Sequence, residues 1–384
     1  MRIVLSGIES NNKGAELMLY SILQEIERKF PEAEVYVPLH AIRQGLDYIH
    51  TNVKLKDKPF ADFKRKHAKQ LHIYGILSRL HVGGEYWGTD MWPVSNVAYF
   101  IDASGFGFSD QWGASDFRII GLRKELASYK KQGTKIIYLP QAFGPFEEEL
   151  TKRLVNVVGK YADVIMPREK VSYDYLVKAG LDTKKLRIFT DFTSLVEGEC
   201  PKEYACLAGG VCIIPNARMI DKGIVDYDYY ISSITKIAEY VKAQGKQTYI
   251  LSHEIESDDP LCDKLAESLK GKVETVTGLN ALEVKGLIST AYMCITSRFH
   301  GVASALNSCV PCLATSWSHK YAELFADYGQ SDCVLDLKDM EGTLKRIATF
   351  IDEKHNAAIR KALTERMPLI KEQTRNMWDV VWSV

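Results

Sequence analysis

Short, almost purely apolar runs alternate with helical stretches along this chain, and the series is played twice. The first series has apolar runs at 2–5, 34–37, 97–101, 135–139, 164–166 and 186–189. Between them lie helical patterns such as 14–30, where Leu17, Tyr20, Leu23, Ile26 and Phe30 share one face, and 116–131 and 151–161. Strands that are apolar on both faces and separated by helices imply a parallel sheet covered on both sides. After a polar, irregular stretch at 198–207 the pattern restarts. Apolar runs at 211–214, 248–251, 273–276, 292–295 and 311–314 alternate with helical stretches at 227–243, 262–269, 282–289 and from Val302. Residues 356–381 carry Ile359, Leu363, Met367, Ile370, Met377 and Val381 at helical spacing, one long amphipathic helix. The expected fold is α/β, with two Rossmann-like domains at 1–197 and 198–355. Residues 356–384 follow as that one long helix. A length of 384 residues suits two domains, each large enough for its own core.

Charge narrows the function classes. Lys plus Arg equals Asp plus Glu, 49 against 49, which argues against a general nucleic-acid binder. No apolar run approaches the ~20 residues that span a bilayer. The first residues carry one positive charge and a very short apolar run, which reads as a buried strand rather than a signal peptide. A cytoplasmic location is expected. The eight cysteines sit mostly inside apolar runs, as small hydrophobes do. Cys309-Val310-Pro311-Cys312 has neither a second pair nor histidines at ligand spacing, so no metal is expected.

In open parallel sheets, ligands bind beyond the carboxyl ends of the strands. In the second series those positions are unusually charged. They read Pro215-Asn216-Ala217-Arg218, Ser252-His253-Glu254, Ser297-Arg298-Phe299-His300-Gly301 and Ser316-Trp317-Ser318-His319-Lys320. Four strand ends thus deliver two arginines, three histidines, one lysine and one glutamate. Such a set suits a small, multiply charged anion, because arginine offers a planar fork matching carboxylate or phosphate. Gly301 is expected to open the following helix and add its free N–H groups. Arg218, His253 and His319 each have a plain structural alternative at the surface or in the core.

The first series ends differently. Glu9-Ser10-Asn11-Asn12-Lys13-Gly14 follows the first strand and is not a dinucleotide fingerprint. Asp102-Ala103-Ser104-Gly105, Pro140-Gln141-Ala142 and Pro167-Arg168-Glu169 follow later ones. These are mainly neutral hydrogen-bonding groups with scattered charge, suited to a hydroxyl-rich partner. Residues 40–93 make a connection far longer than the usual ~2–6 residues. It is basic (Lys54, Lys56, Lys58, Lys64, Arg65, Lys66, Lys69) and then aromatic (Tyr74, Tyr86, Trp87, Trp92). It reads either as a solvated cover of the sheet edge or as a surface for an anionic membrane, with the contact at 54–92.

Ser297-Arg298-Phe299-His300-Gly301 followed by Ser318-His319-Lys320-Tyr321 resembles the polysaccharide pyruvyl transferase family. So do Asn12 and Gly14, Leu139-Pro140-Gln141 with Phe143-Gly144-Pro145, and Arg168-Glu169, over most of the chain. Ala15-Glu16, Asp102-Ala103-Ser104-Gly105 and Thr190-Asp191-Phe192 depart from the family pattern. The resemblance implies a GT-B-like fold, with two Rossmann-like domains facing across a cleft and the C-terminal helix, 356–384, crossing back to the first. It also implies transfer of pyruvate from phosphoenolpyruvate to a sugar hydroxyl pair, forming a ketal, without metal or other cofactor.

By that resemblance Arg218, Arg298, His300, Gly301, Lys320 and His253 hold the donor, and Asn12, Ser104, Gln141 and Arg168 the glycan acceptor. His300, Lys320, Asp102 and Glu254 would carry proton transfer. The acceptor would be a bacterial surface polysaccharide or its polyprenyl-diphosphate-linked precursor, met at the inner face of the membrane. The alternatives are a GT-B glycosyltransferase using a nucleotide sugar and a non-catalytic carbohydrate-binding relative, since fold does not decide function.

Overall fold

A computed structural model describes residues 1–38, 42, 45, 48–57, 94–315 and 319–384. The chain divides into two compact units. The first comprises Met1–Ser10, Met18–Thr190 and Asn376–Val384, the second Asn11–Leu17 and Asp191–Arg375.

The first unit is built on a six-stranded parallel sheet. Its strands are β1 (Arg2–Ser6), β2 (Glu34–Val37), β3 (Lys54–Asp57), β4 (Val97–Asp102), β5 (Lys135–Gln141) and β6 (Val164–Pro167), in the order β3-β2-β1-β4-β5-β6. Helices α1 (Lys13–Lys29), α2 (Asp116–Lys131), α3 (Glu149–Tyr161) and α4 (Lys170–Lys178) connect them. The central strands are buried on both faces, as their unbroken apolar runs require.

Two expectations change here. Residues 186–189 are not a strand: Leu186 makes one isolated bridge to Ile165, while Arg187 and Ile188 are exposed and have no face to bury. Conversely, β3 is a strand inside the stretch read as one long connection. Its sequence Lys-Leu-Lys-Asp has a single apolar residue, the composition of a charged edge strand, which periodicity cannot flag. Lys54 and Lys56 therefore sit on a sheet, where both pair with Glu34 (3.7 Å for Lys54). Residues 58–93, with the rest of the basic and aromatic run, lie outside the described residues.

The second unit carries a five-stranded parallel sheet. Strands β7 (Val211–Ile214), β8 (Thr248–Leu251), β9 (Glu274–Val276), β10 (Met293–Thr296) and β11 (Cys312–Ala314) run in the order β11-β10-β7-β8-β9. Its helices are α5 (Arg218–Asp221), α6 (Tyr227–Ala243), α7 (Ile255–Ser268), α8 (Ala281–Ser289), α9 (Phe299–Asn307), α10 (His319–Asp327) and α11 (Met340–Ile351). Helix α12 (Glu353–Ser383) follows; its residues to Arg375 belong to this unit and the remainder to the first.

Local chemistry sets these helices. Asp226 accepts the N–H groups of Asp228 and Tyr229 at the start of α6, and Asn280 and Glu283 form a reciprocal cap on α8. The polar stretch 198–207 is part of this unit. Glu199 N–H donates to Leu282 O (3.0 Å), and Lys202–Leu207 winds into a 3₁₀ helix. Among the described residues, no helix is long and apolar enough to cross a membrane.

Candidate active site

The order of the second sheet reverses between β7 and β10, which pair in parallel. Chains leaving these two strands diverge to opposite sides of the sheet, and the gap between them is where ligands bind in such folds. Asn216 follows β7, and Ser297, Arg298 and His300 follow β10. Ser297 fixes this corner: its carbonyl accepts Asn216 Nδ2–H (2.8 Å) and the Tyr321 hydroxyl (2.6 Å), and its Oγ lies 2.9 Å from the Tyr230 hydroxyl. The next side chains therefore emerge from a rigid point.

Arg298 stands immediately before α9 and is buried. Its Nε donates to Asp258 Oδ2 (2.8 Å), and Nη2 donates to Asp258 Oδ1 and to Ser257 Oγ (3.3 Å). Nη1 lies 2.6 Å from Glu254 Oε2. Most of the fork expected to grip a ligand is thus engaged by two carboxylates. Burial alone would lower the Arg298 pKa, but Asp258 and Glu254 outweigh it and raise it. Glu254 Oε1 reaches on to Arg218 Nη2 (3.3 Å), and Arg218, on the short helix α5, is half exposed. Burial would raise the Glu254 pKa, yet Arg298 and then Arg218 hold it below the usual carboxylate value. Glu254 is an ionised counter-charge between two guanidiniums, which leaves it, of the acid or base roles expected of it, only that of a base.

His300 is the second residue of α9, since the helix begins at Phe299 rather than at Gly301. Gly301 instead packs on β10: a Cβ there would lie 2.7 Å from Thr296 Oγ1. His300 Nε2 lies 3.3 Å from Asp191 Oδ2, a charge contact rather than an aligned hydrogen bond. Asp191 is buried, and its Oδ1 accepts Thr193 N–H (2.9 Å) and the Thr193 hydroxyl. Burial works against the charge on Asp191, but His300 and Thr193 win and hold its pKa below the ordinary range.

On its other side the imidazole meets the chain at Gly14, where a Cβ would stand 2.2 Å from His300 Nδ1. His253 is buried at the end of β8. Desolvation, then the positive charges of Arg298, His300 and Lys13, push its pKa well below the usual imidazole value. It is a neutral ring, and its Nδ1 has no hydrogen-bond partner among the described residues.

Asn12, which the resemblance assigned to the acceptor, falls with these residues in the second unit. Its backbone bridges Glu254, its Oδ1 accepts Gly14 N–H (2.9 Å), and the next N–H, of Lys13, donates to His253 O (3.0 Å). Lys13 and Glu16 form a buried ion pair (2.7 Å). Lys320 Nζ lies 5.7 Å from the Phe299 ring and 5.6 Å from that of Tyr321, within cation–π reach. Residues 316–318 lie outside the described residues.

Behind His300 is a buried polar group that the strand-end survey missed. Lys285 of α8 donates to Thr193 O (2.9 Å), and Asn307 Nδ2 donates to Thr193 Oγ1 (3.4 Å). The Tyr328 hydroxyl donates to Asn307 Oδ1. Desolvation lowers the Lys285 pKa to about 8, Asp191 opposing. Asp191 was visible only as an oddity in the run Thr190-Asp191-Phe192.

The first unit gathers the other candidates at its own reversal, between β1 and β4. Asp102 accepts Gln141 Nε2–H (3.0 Å) and Ser104 N–H (3.2 Å). Ser104 lies against Gly7, whose φ of +70° favours glycine and where a Cβ would stand 2.1 Å from Ser104 Oγ. Arg168 N–H donates to Gln141 O (2.9 Å), and its side chain is buried near Glu169 (3.8 Å). Gln141 Oε1 is buried without a hydrogen-bond partner among the described residues. Arg118, which the strand-end survey did not reach, donates to Gly107 O (3.0 Å) and Gly113 O (3.2 Å). Among the described residues no group of three or more His, Cys, Asp or Glu is arranged to hold a metal ion.

A family model described as polysaccharide pyruvyl transferase matches residues 12–319. The amylovoran biosynthesis protein AmsJ of Erwinia amylovora is 22% identical over 388 residues, covering 90% of each chain. Among solved structures, Anabaena Alr3699/HepE in complex with UDP-glucose superposes with a TM-score of 0.61 at 10% identity, covering all of both chains. A putative UDP-N-acetylglucosamine 2-epimerase from Listeria monocytogenes gives 0.58 at 11% identity, covering 94% of this chain and 90% of that one. At such identities the structural likeness establishes the fold, the two-domain α/β class of GT-B type.

Proposed function

This chain belongs to the polysaccharide pyruvyl transferase family, and we propose that it moves pyruvate from phosphoenolpyruvate onto a pair of sugar hydroxyls, forming a ketal and releasing phosphate. The observation that carries this reading is the His300–Asp191 pair set beside Arg298 at the sheet's reversal. Asp191 supplies the counter-charge a protonated imidazole needs, and His300 gives its proton to the donor's methylene carbon. The central carbon becomes electrophilic and one sugar hydroxyl attacks it, its proton returning to the imidazole. The carbon–oxygen bond to phosphate then breaks and a second hydroxyl closes the ring, the departing phosphate taking the last proton. Arg218 and Lys320 hold the trianionic donor. Arg298, fixed by Asp258 and Glu254, stands behind them as a permanent positive charge.

The acceptor side is Asp102, Ser104, Gln141 and Arg168, whose neutral hydrogen-bonding groups suit a hydroxylated ligand. The enzyme needs no metal or other cofactor in this scheme. It works in the cytoplasm, on a glycan that is polyprenyl-diphosphate-linked at the inner face of the membrane. The basic run from Lys58 to Lys69 would meet the anionic surface there.

The test is phosphate release from phosphoenolpyruvate with candidate glycans, together with the mass gain of one ketal-linked pyruvate. His300→Gln should lose about 10²–10⁴-fold in rate and keep its melting temperature. A sharp fall in melting temperature with full specific activity would make His300 a core residue. Release of UDP from UDP-glucose, with no phosphate from phosphoenolpyruvate, would replace this reading by glycosyl transfer.

A further inference from the structure

Lys285 is buried in an otherwise closed network and touches no candidate ligand group directly. Its position is imposed from two directions. Helix α8 is capped at Asn280, and its middle packs so tightly on the preceding stretch that a Cβ on Gly198 would lie 2.2 Å from Gly286 N. The ammonium then meets Thr193, whose carbonyl it bonds at 2.9 Å. The same Thr193 donates its N–H to Asp191 at 2.9 Å. One residue therefore holds both the lysine and the carboxylate that faces His300.

The charged groups around this point are few. Lys285 senses Asp191, Lys371 of α12 and Glu197; Asp191 senses His300, Lys285 and Tyr328; His300 faces Asp191 and lies near His253. Asp191 carries one negative charge; His300 faces it at 3.3 Å, and Lys285 is joined to it through Thr193. We propose that Lys285 is a positioning residue for the proposed reaction, its ammonium competing with the His300 imidazolium for the single charge of Asp191. With Lys285 charged, Asp191 is already compensated and His300 yields its proton readily. With Lys285 neutral, the same proton is held by a full ion pair. The burial that lowers the Lys285 pKa to about 8 places this exchange near working pH.

The inference rests on the proposed proton transfer, but its test does not need turnover. Imidazole resonances of the ligand-free protein are followed by NMR against pH, and His300 is identified by the signal lost in His300→Gln. Lys285→Met removes a positive charge beside Asp191, so the pH at which His300 titrates should rise by roughly one unit. Lys285→Arg keeps the charge and should leave it in place. In the wild-type protein the same resonance should show a second, smaller step near pH 8 as Lys285 loses its proton, a result that depends on no variant folding. A single-step wild-type curve, or an unmoved His300 curve in a folded Lys285→Met protein, overturns the proposal. If the shifts occur and no pyruvyl transfer is found with any acceptor, the coupling stands and the reaction assignment fails.

Discussion

Asp191 Oδ2 faces His300 Nε2 at 3.3 Å while its other oxygen is fixed by Thr193, so the carboxylate is oriented independently of the imidazole it serves. A carboxylate held this way does not reorganise when the ring gains or loses a proton, which is the condition for electrostatic help in a transition state.

Asp191→Asn keeps an oxygen for Thr193 and removes the charge. Turnover should fall by about 10²-fold or more. The stability difference has a definite sign with pH. Folding depresses the Asp191 pKa, so its contribution is present above the ordinary carboxylate value, near pH ~4, and is lost as pH falls through the folded value. Urea unfolding across a pH series should show wild type and Asp191→Asn converging below that point. A gap independent of pH would mean that the charge is not what Asp191 contributes.

Gly14→Ala tests the other face of His300. Alanine favours the helix by about 1 kcal/mol over glycine, but its Cβ would fall 2.2 Å from Nδ1 of a ring already held by Asp191. The ring must move. Activity should drop tenfold or more, with little change in melting temperature. Full activity would show that the imidazole has room to adjust.

Arg218, His253, Glu254, Arg298 and His300 were legible in the sequence because a parallel sheet converts position along the chain into position at one edge. The groups that other elements bring to that edge were not. Lys285 is a helical residue in the run Glu283-Val284-Lys285-Gly286, and no periodicity marks a lysine as buried. Asp191 lies in an irregular segment after a run misread as a strand. Asn12 belongs to the second unit although it follows the first strand, because the units divide between Ser10 and Asn11, a boundary that chain order does not show. Arg298 was recognised as functional from its neighbours, but its two carboxylate partners come from the turn into α7 and its first turn. Their sequence, Glu254-Ile255-Glu256-Ser257-Asp258, reads as an ordinary acidic helix start.

The two arginines should therefore behave differently. Arg298→Ala leaves Asp258 as a buried charge without its guanidinium and Glu254 with only the half-exposed Arg218, and loss of one partner of a buried pair costs about 3–5 kcal/mol. Arg298→Lys should also be poor, since an ammonium cannot replace the fork across Asp258. Arg218 is half exposed, and its ion pairs at the surface are worth ~0–1 kcal/mol. Arg218→Ala should keep its stability and weaken phosphoenolpyruvate binding by roughly tenfold to a hundredfold. Calorimetric titration of both variants separates the roles. Unchanged donor affinity in Arg218→Ala would remove it from the donor site.

Lys285 makes a prediction about stability alone. Burial takes its pKa from 10.5 to about 8, so the folded state binds the proton less tightly than the unfolded chain does. The contribution to stability is fully present above the unfolded value, 10.5, and is lost as pH falls to the folded value, about 8. The depression corresponds to a cost on the order of 3 kcal/mol carried by the folded protein below that window. Methionine at this position carries no such cost, though it forfeits the bond to Thr193 O at every pH. The absolute difference between wild type and Lys285→Met therefore mixes two opposing effects, but its slope does not. Wild type should gain on the variant by about 3 kcal/mol between pH 8 and pH 10.5, which urea unfolding of the two proteins at matched pH values would measure. A difference that stays flat across that window would mean that the ammonium is solvated in the folded protein, and that water reaches the network behind His300.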